Sequence, residues 1–132
     1  MSSLDEIKEV IDGLLRLQDM ILKKERPWIE QEAQESIGNI AQIEVYNVFG
    51  SYKERLKLVD GYRIVKTTEQ PKHVIRIHID TLIDLLTGEI DFHEAYAKGL
   101  VQFNGENYHI HAIKWAKGFA RLRKYIVNMF RR

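Results

Sequence analysis

Apolar residues recur at helical spacing from the start of the chain. Leu4, Ile7, Ile11, Leu14, Leu15, Ile21 and Leu22 form one broad stripe. Ser3, with Glu6 three positions on, predicts a capping box at the helix start, and Gly13 is the weak point within it. Pro27 ends this helix or opens the next, because its ring is tolerated in a first turn and not in an interior. Trp28 to Ser36 reads as a short second helix stopped by Gly38-Asn39.

From Ile40 the period changes to two. Ile43, Val45 and Phe49 fall on one face of an alternating segment, with Glu44, Tyr46 and Val48 on the other. Gly50-Ser51 reads as a turn into a second strand, where Leu56 and Leu58 alternate with Arg55, Lys57 and Val59. Asp60-Gly61 is a hairpin signal leading into Tyr62–Thr67. After the break at Gln70-Pro71-Lys72, Ile75, Ile77 and Ile79 alternate with Arg76 and His78. The expectation is four consecutive strands arranged as a meander.

Asp80 or Thr81 can cap a helix carrying Leu82, Ile83, Leu85 and Leu86, closed by a left-handed Gly88. Asp91 caps a second short helix with Phe92, Ala95 and Tyr96, ended at Gly99. Leu100–Phe103, the turn Asn104-Gly105-Glu106-Asn107 and Tyr108–His111 read as a hairpin. Ala112 to Phe130 is a closing helix with Trp115, Phe119, Leu122, Ile126 and Met129 on one face, and Lys114, Lys117, Arg121 and Lys124 on the other. Helix, antiparallel strands, paired short helices, hairpin and helix in that order predict an α+β fold, with helices covering a mainly antiparallel sheet.

Composition narrows the function classes. A chain of 132 residues suits one domain, and its 45% hydrophobic content can supply a core. The lack of cysteine excludes disulfides, thiolate nucleophiles and thiolate metal sites. The acidic start and the absence of a long apolar run predict neither a secretory signal nor a membrane span, hence a cytoplasmic protein whose membrane contact is peripheral. The net charge of +1 is unevenly spread: residues 1–35 carry −4, residues 36–111 carry −2 and residues 112–132 carry +7. A solvated helix face and an anionic partner both account for that basic end.

Reacting groups are sparse. His109 and His111, with His78 or Glu106, make only a fragment of a metal site on a strand face, so no metal or other cofactor is expected. Asp84 and Glu89 do not share a helical face, and no phosphate loop or nucleophile elbow occurs. No enzymatic activity is expected. The net-acidic remainder of the chain and the lack of a recognition motif argue against nucleic acid as partner.

The segments Ile75-Arg76-Ile77-His78-Ile79-Asp80-Thr81-Leu82-Ile83-Asp84-Leu85-Leu86-Thr87-Gly88-Glu89-Ile90-Asp91 and Phe92 to Gly105 resemble the sterol-transfer domain of the sterol carrier protein family. That family shows an apolar strand, a leucine-rich segment ending in Thr-Gly, a short helix closed by glycine, and a strand ending in glycine. The likeness covers roughly residues 40–130, with residues 1–38 as a helical extension of a single domain spanning 1–132. It implies a curved sheet and helices enclosing an apolar tunnel for a fatty acyl, sterol-like or other apolar ligand, whose binding would be the function, with transfer or sensing as its open purpose. The expected walls are Trp115, Phe119, Leu122, Ile126 and Met129 with Leu82, Leu85, Leu86, Phe92 and Tyr96, above a floor of Phe103 and Ile110. Ordinary core packing gives the same pattern. Lys114, Lys117, Arg121, Arg123 and Lys124 are the expected contacts for a headgroup or an anionic membrane. The alternative is an interaction or homo-oligomerisation domain of the same fold with a filled interior.

Overall fold

The computed structural model describes residues 4–105 and 108–130. Helix α1 (Leu4–Lys24) runs unbroken through Gly13, and α2 (Arg26–Ala33) carries Pro27 in its first turn. The anticipated cap at Ser3 lies outside the described residues. Strands β1 (Ile40–Asn47), β2 (Gly50–Val59), β3 (Arg63–Lys66), β4 (His73–His78) and β5 (Val101–Gly105) form one sheet in the order β3-β2-β1-β4-β5. Between β4 and β5 lie the short helices α3 (Ile79–Thr87) and α4 (Phe92–Ala97), and α5 (Tyr108–Phe130) closes the fold.

The sheet is mainly antiparallel, as the alternating segments predict, but it is not a four-strand meander. β1, β2 and β3 are antiparallel neighbours, whereas β4 pairs in parallel with β1, Ala41 opposite His73 and Val45 opposite Ile77. The chain from 67 to 72 therefore crosses the sheet instead of turning back on β3. Arg55 Nη1 donates to the carbonyls of Thr68 and Glu69, Lys57 Nζ pairs with Glu69 at 2.9 Å, and the Lys72 amide donates to Ile40. Pro71 marks this bridge and not a hairpin turn.

Parity places Ala41, Ile43, Val45, His73, Ile75, Ile77, Leu56, Val101 and Phe103 on the face that the helices cover. Ile43, Val45, Ile75, Ile77 and Val101 are buried there with Leu82, Leu85, Ala95 and Phe119. Phe49 is not on this face. It sits with Val48 in the β1–β2 turn, 60% and 89% exposed respectively, while the Asn47 carboxamide accepts from the Phe49 amide and β2 starts at Gly50. The opposite face carries Glu44, Arg55, Lys57 and Arg76, so it is the polar side.

The short helices stop where the glycines require. Gly88 has φ +84 and its amide donates to Asp84, closing α3. At the start of α3, His78 Nδ1 accepts from the Asp80 amide at 3.0 Å, so the cap lies upstream of the expected Asp80 or Thr81. Asp91 caps α4 as expected, its carboxylate accepting from the Glu94 amide at 2.7 Å.

Two further features position the cavity. Asp12 on α1 takes a hydrogen bond from Lys66 Nζ at 2.9 Å, which lowers the Asp12 pKa and pins α1 against β3. Residues 108–111 are the first turn of α5 and not the return strand of a hairpin. Tyr-His-Ile-His alternates like a strand, but the buried positions His111, Ala112 and Phe119 continue one helical face.

Candidate functional site

α1 packs over β2 and β3, α5 packs over β5 and against α3 and α4, and between them the helices do not close on the sheet. The space left is a cavity of about 280 Å³. α1 contributes Ile11, Leu14, Leu15 and Gln18; the sheet contributes Ala41, Ile43, Leu56, Leu58 and Ile64; α5 contributes Trp115, Gly118, Phe119 and Leu122, with Leu82 of α3. Gly118 is in the middle of α5, and a Cβ built there meets no atom within 4 Å. Its missing side chain is part of the empty volume.

Of the residues expected to form the wall, Leu82, Trp115, Phe119 and Leu122 line this cavity. Leu85, Phe92 and Phe119 border a smaller void of about 120 Å³, together with Asp91, His93 and Arg123. Leu86 is buried in the core and Ile126 is packed against it. Phe103 meets Phe92 and Tyr96 edge to face and Tyr96 lies tilted against Phe92, with ring centroids 5.7–6.3 Å apart, which accounts for their partial burial without a ligand. Ile110 and Met129 are not wall residues: they are 54% and 60% exposed on the outer side of α5. The displacement of Ile110 follows from its position on a helix in place of the expected strand. Lys114 lines the cavity, Lys117 and Lys124 are exposed, Arg121 is half-buried, and Arg123 lies over Gly88 beside the smaller void.

The α1 wall and the strand residues Ala41, Leu56 and Leu58 were not anticipated as site residues. Their signal was present in the apolar stripe of α1 and the alternation of β1 and β2, but those patterns do not distinguish a cavity wall from filled core.

Most polar lining residues gather at one end of the sheet, because Ala41 is paired with both Leu56 and His73 where β1 begins. There His73 and His111 stack with ring centroids 3.8 Å apart. Trp115 Nε1 donates to His73 Nε2 at 2.9 Å, so the imidazole proton sits on Nδ1. That Nδ1 is buried without a hydrogen-bond partner, as is Gln18 Oε1 on α1. Lys114 Nζ donates to Ser36 Oγ at 2.7 Å. Lys57 also borders the cavity, but its ammonium pairs with Glu69 on the other face. His111 is on α5 and not on a strand face, and His78 is at the far end of β4, while Glu106 and the side chain of His109 lie outside the described residues. Among the described residues no three His, Asp or Glu side chains converge on a metal position.

Burial, reinforced by the nearby His111 and Lys114, pushes the His73 pKa down from 6.5 to about 4. His111 is lowered too, by burial and then by Lys114 and Lys72. A depressed folded-state pKa means that the unfolded chain takes up the proton first. The stabilisation is therefore complete above pH 6.5 and is lost as the pH falls towards about 4. The full His73 shift corresponds to roughly 3 kcal/mol, and solvent at the cavity edge reduces this to about 2 kcal/mol. Urea unfolding of the wild type and His73→Gln at about pH 7 and about pH 4.5 measures it. Glutamine can still accept from Trp115 but does not titrate, so the wild type should lose about 2 kcal/mol more than the variant. Parallel losses would mean that His73 is not held neutral by the fold.

No family model and no curated protein sequence matches the chain. Solved structures do. The apo form of sterol carrier protein 2 from Yarrowia lipolytica superposes with a TM-score of 0.60 at 13% identity, over 86% of this chain and 90% of its own. The ubiquinone synthesis protein UbiJ-SCP2 gives 0.61 at 13% identity, over 91% and 98%. Palmitated sterol carrier protein 2-like 2 (SCP2L2) from Aedes aegypti gives 0.52 at 10% identity, over 64% and 74%. At such identities the likeness speaks for architecture alone. The chain has the sterol carrier protein fold.

Proposed function

We propose that this protein binds the alkyl portion of a lipid, or a comparable apolar ligand, in the cavity between α1, α5 and the sheet, without chemically altering it. The observation that carries this reading is the unfilled apolar space around Gly118, about 280 Å³ in volume. Taking a methylene as about the size of a liquid water, roughly 30 Å³, the space holds about ten of them. Burying about ten methylenes yields roughly 8 kcal/mol before ordering costs, enough for useful affinity without any reacting group. A sterol carries far more carbon than that, so a single alkyl chain is the better-matched guest. One structural neighbour is described as palmitated, which supports the same class of ligand. Among the described residues no helix is long and apolar enough to cross a membrane, and the exposed Lys117 and Lys124 on α5 support loading and release at an anionic lipid surface.

The test is to fill the space from within. Gly118→Leu projects a side chain into the cavity and also replaces a residue that costs a helix interior up to about 1 kcal/mol. The variant should be at least as stable as the wild type, yet lose uptake of a fluorescent medium-chain fatty acid by tenfold or more. Unchanged uptake in a folded variant would place the ligand elsewhere or nowhere.

A further inference from the structure

α5 borders both voids, and helical spacing sends a different set of its side chains to each. Trp115, Gly118 and Leu122 line the main cavity, whereas Ala116, Ala120 and Arg123, on the other flank of the inner face, line the smaller void beside α3 and α4. Phe119 lies between the two sets and, among the described residues, it alone lines both spaces. α3 divides in the same way, with Leu82 on the larger space and Leu85 on the smaller. The Phe119 side chain is the partition. It is buried, and it stands between Trp115 on the main cavity and Phe92 on the smaller void, with ring centroids 5.8 and 5.6 Å away. Aromatic contacts on both flanks hold it there, so swinging the ring aside forfeits both. The space behind it suits a chain end: Leu85, Phe92 and Ala116 give it an apolar wall, and exposed Asp91 and His93 mark where it meets solvent.

We infer that the void between α4 and α5 is a second chamber of the ligand site, shut off by the Phe119 ring, and that Phe119 is the stop that limits how long an alkyl chain the protein accepts in that direction. The inference rests on the main cavity being the lipid site proposed above. The closed chamber measures about 120 Å³. At roughly 30 Å³ for each methylene it has room for about four more than the main cavity holds. Each one admitted would strengthen binding by roughly fourfold. In the wild type that gain is withheld, because a chain that meets the ring finds no further apolar wall to cover.

Displacement of a fluorescent medium-chain fatty acid from the full chain by straight-chain alcohols reads the length limit. In the wild type, affinity should climb from 1-octanol to 1-decanol and then level off, with 1-tetradecanol no tighter than 1-decanol. Phe119→Ala should make 1-tetradecanol the tighter of the two by about tenfold or more. Adding Ala116→Leu to that variant refills the second chamber and should remove the gain. A wild-type affinity that keeps rising to 1-tetradecanol, or a Phe119→Ala protein with the wild-type length profile, would overturn the stop and leave the main cavity standing. A gain that survives Ala116→Leu would overturn the second chamber. Failure of every alcohol and of the fatty acid to bind the wild type would overturn the cavity reading, and the stop with it. Should Phe119→Ala prove unfolded by circular dichroism, Phe119→Leu replaces it with the same shift at about fourfold, and the wild-type plateau is a test that needs no variant.

Discussion

Gly105→Ala is expected to destabilise the protein by about 3 kcal/mol or more, the largest effect among the glycine-to-alanine changes in this chain. Gly105 ends β5 at φ +117, where a side chain is strained whatever space surrounds it. Space is also lacking, because a Cβ there would collide with the Lys72 carbonyl and lie 2.8 Å from the His73 Cα. Both obstacles are backbone, so no rotamer change relieves them. The strand pair must part where Gly105 opposes His73. Gly99→Ala is the matched control: its φ is +73 with nothing within 4 Å, so it should cost only the backbone term of about 1 kcal/mol. Urea midpoints of the two variants settle the comparison. A loss at Gly105 no larger than at Gly99 would show that the end of β5 yields freely.

The second large effect is expected at Leu82, which is fully buried on α3 and at the same time borders the cavity. Leu82→Ala removes three carbons from a site gripped by the core on one side and open to a void on the other. The new space merges with the old, so the loss should be about 3 kcal/mol, towards the lower part of the range for buried leucines. The same substitution lengthens the cavity. Ligands one or two methylenes longer than the wild-type optimum should gain affinity, by up to about 0.8 kcal/mol for each methylene accommodated. Denaturation together with a titration series of acids of increasing length measures both. Destabilisation without any shift in preferred length would mean that Leu82 supports the wall without limiting it.

The parts of the fold legible in the sequence were those decided by local chemistry. The caps at Asp91 and Gly88 follow from side-chain and backbone preferences within a few residues, and the alternation in β1, β2 and β4 reports one covered face. The errors arose where the deciding contact is distant. Nothing within 67–72 says that the segment crosses the sheet, since the anchoring partners Arg55, Lys57 and Ile40 belong to other strands. Tyr108–His111 alternates as a strand would, and only the continuation of its buried face into Ala112 and Phe119 decides for a helix. The site was legible by half: the α5 face and Leu82 follow from amphipathic spacing, whereas the α1 wall and the stacking of His73 on His111 depend on which strands end side by side.

Gly118 has a consequence for how the protein behaves empty. A helix with a glycine at its midpoint, facing unfilled space, gives up contacts that its neighbours in sequence enjoy. On the proposed reading a guest supplies those contacts, so the cargo completes an interior that the polypeptide leaves unfinished. Loading should then tighten the centre of α5 against α1, and the vacant protein should breathe most at the place where its passenger will rest.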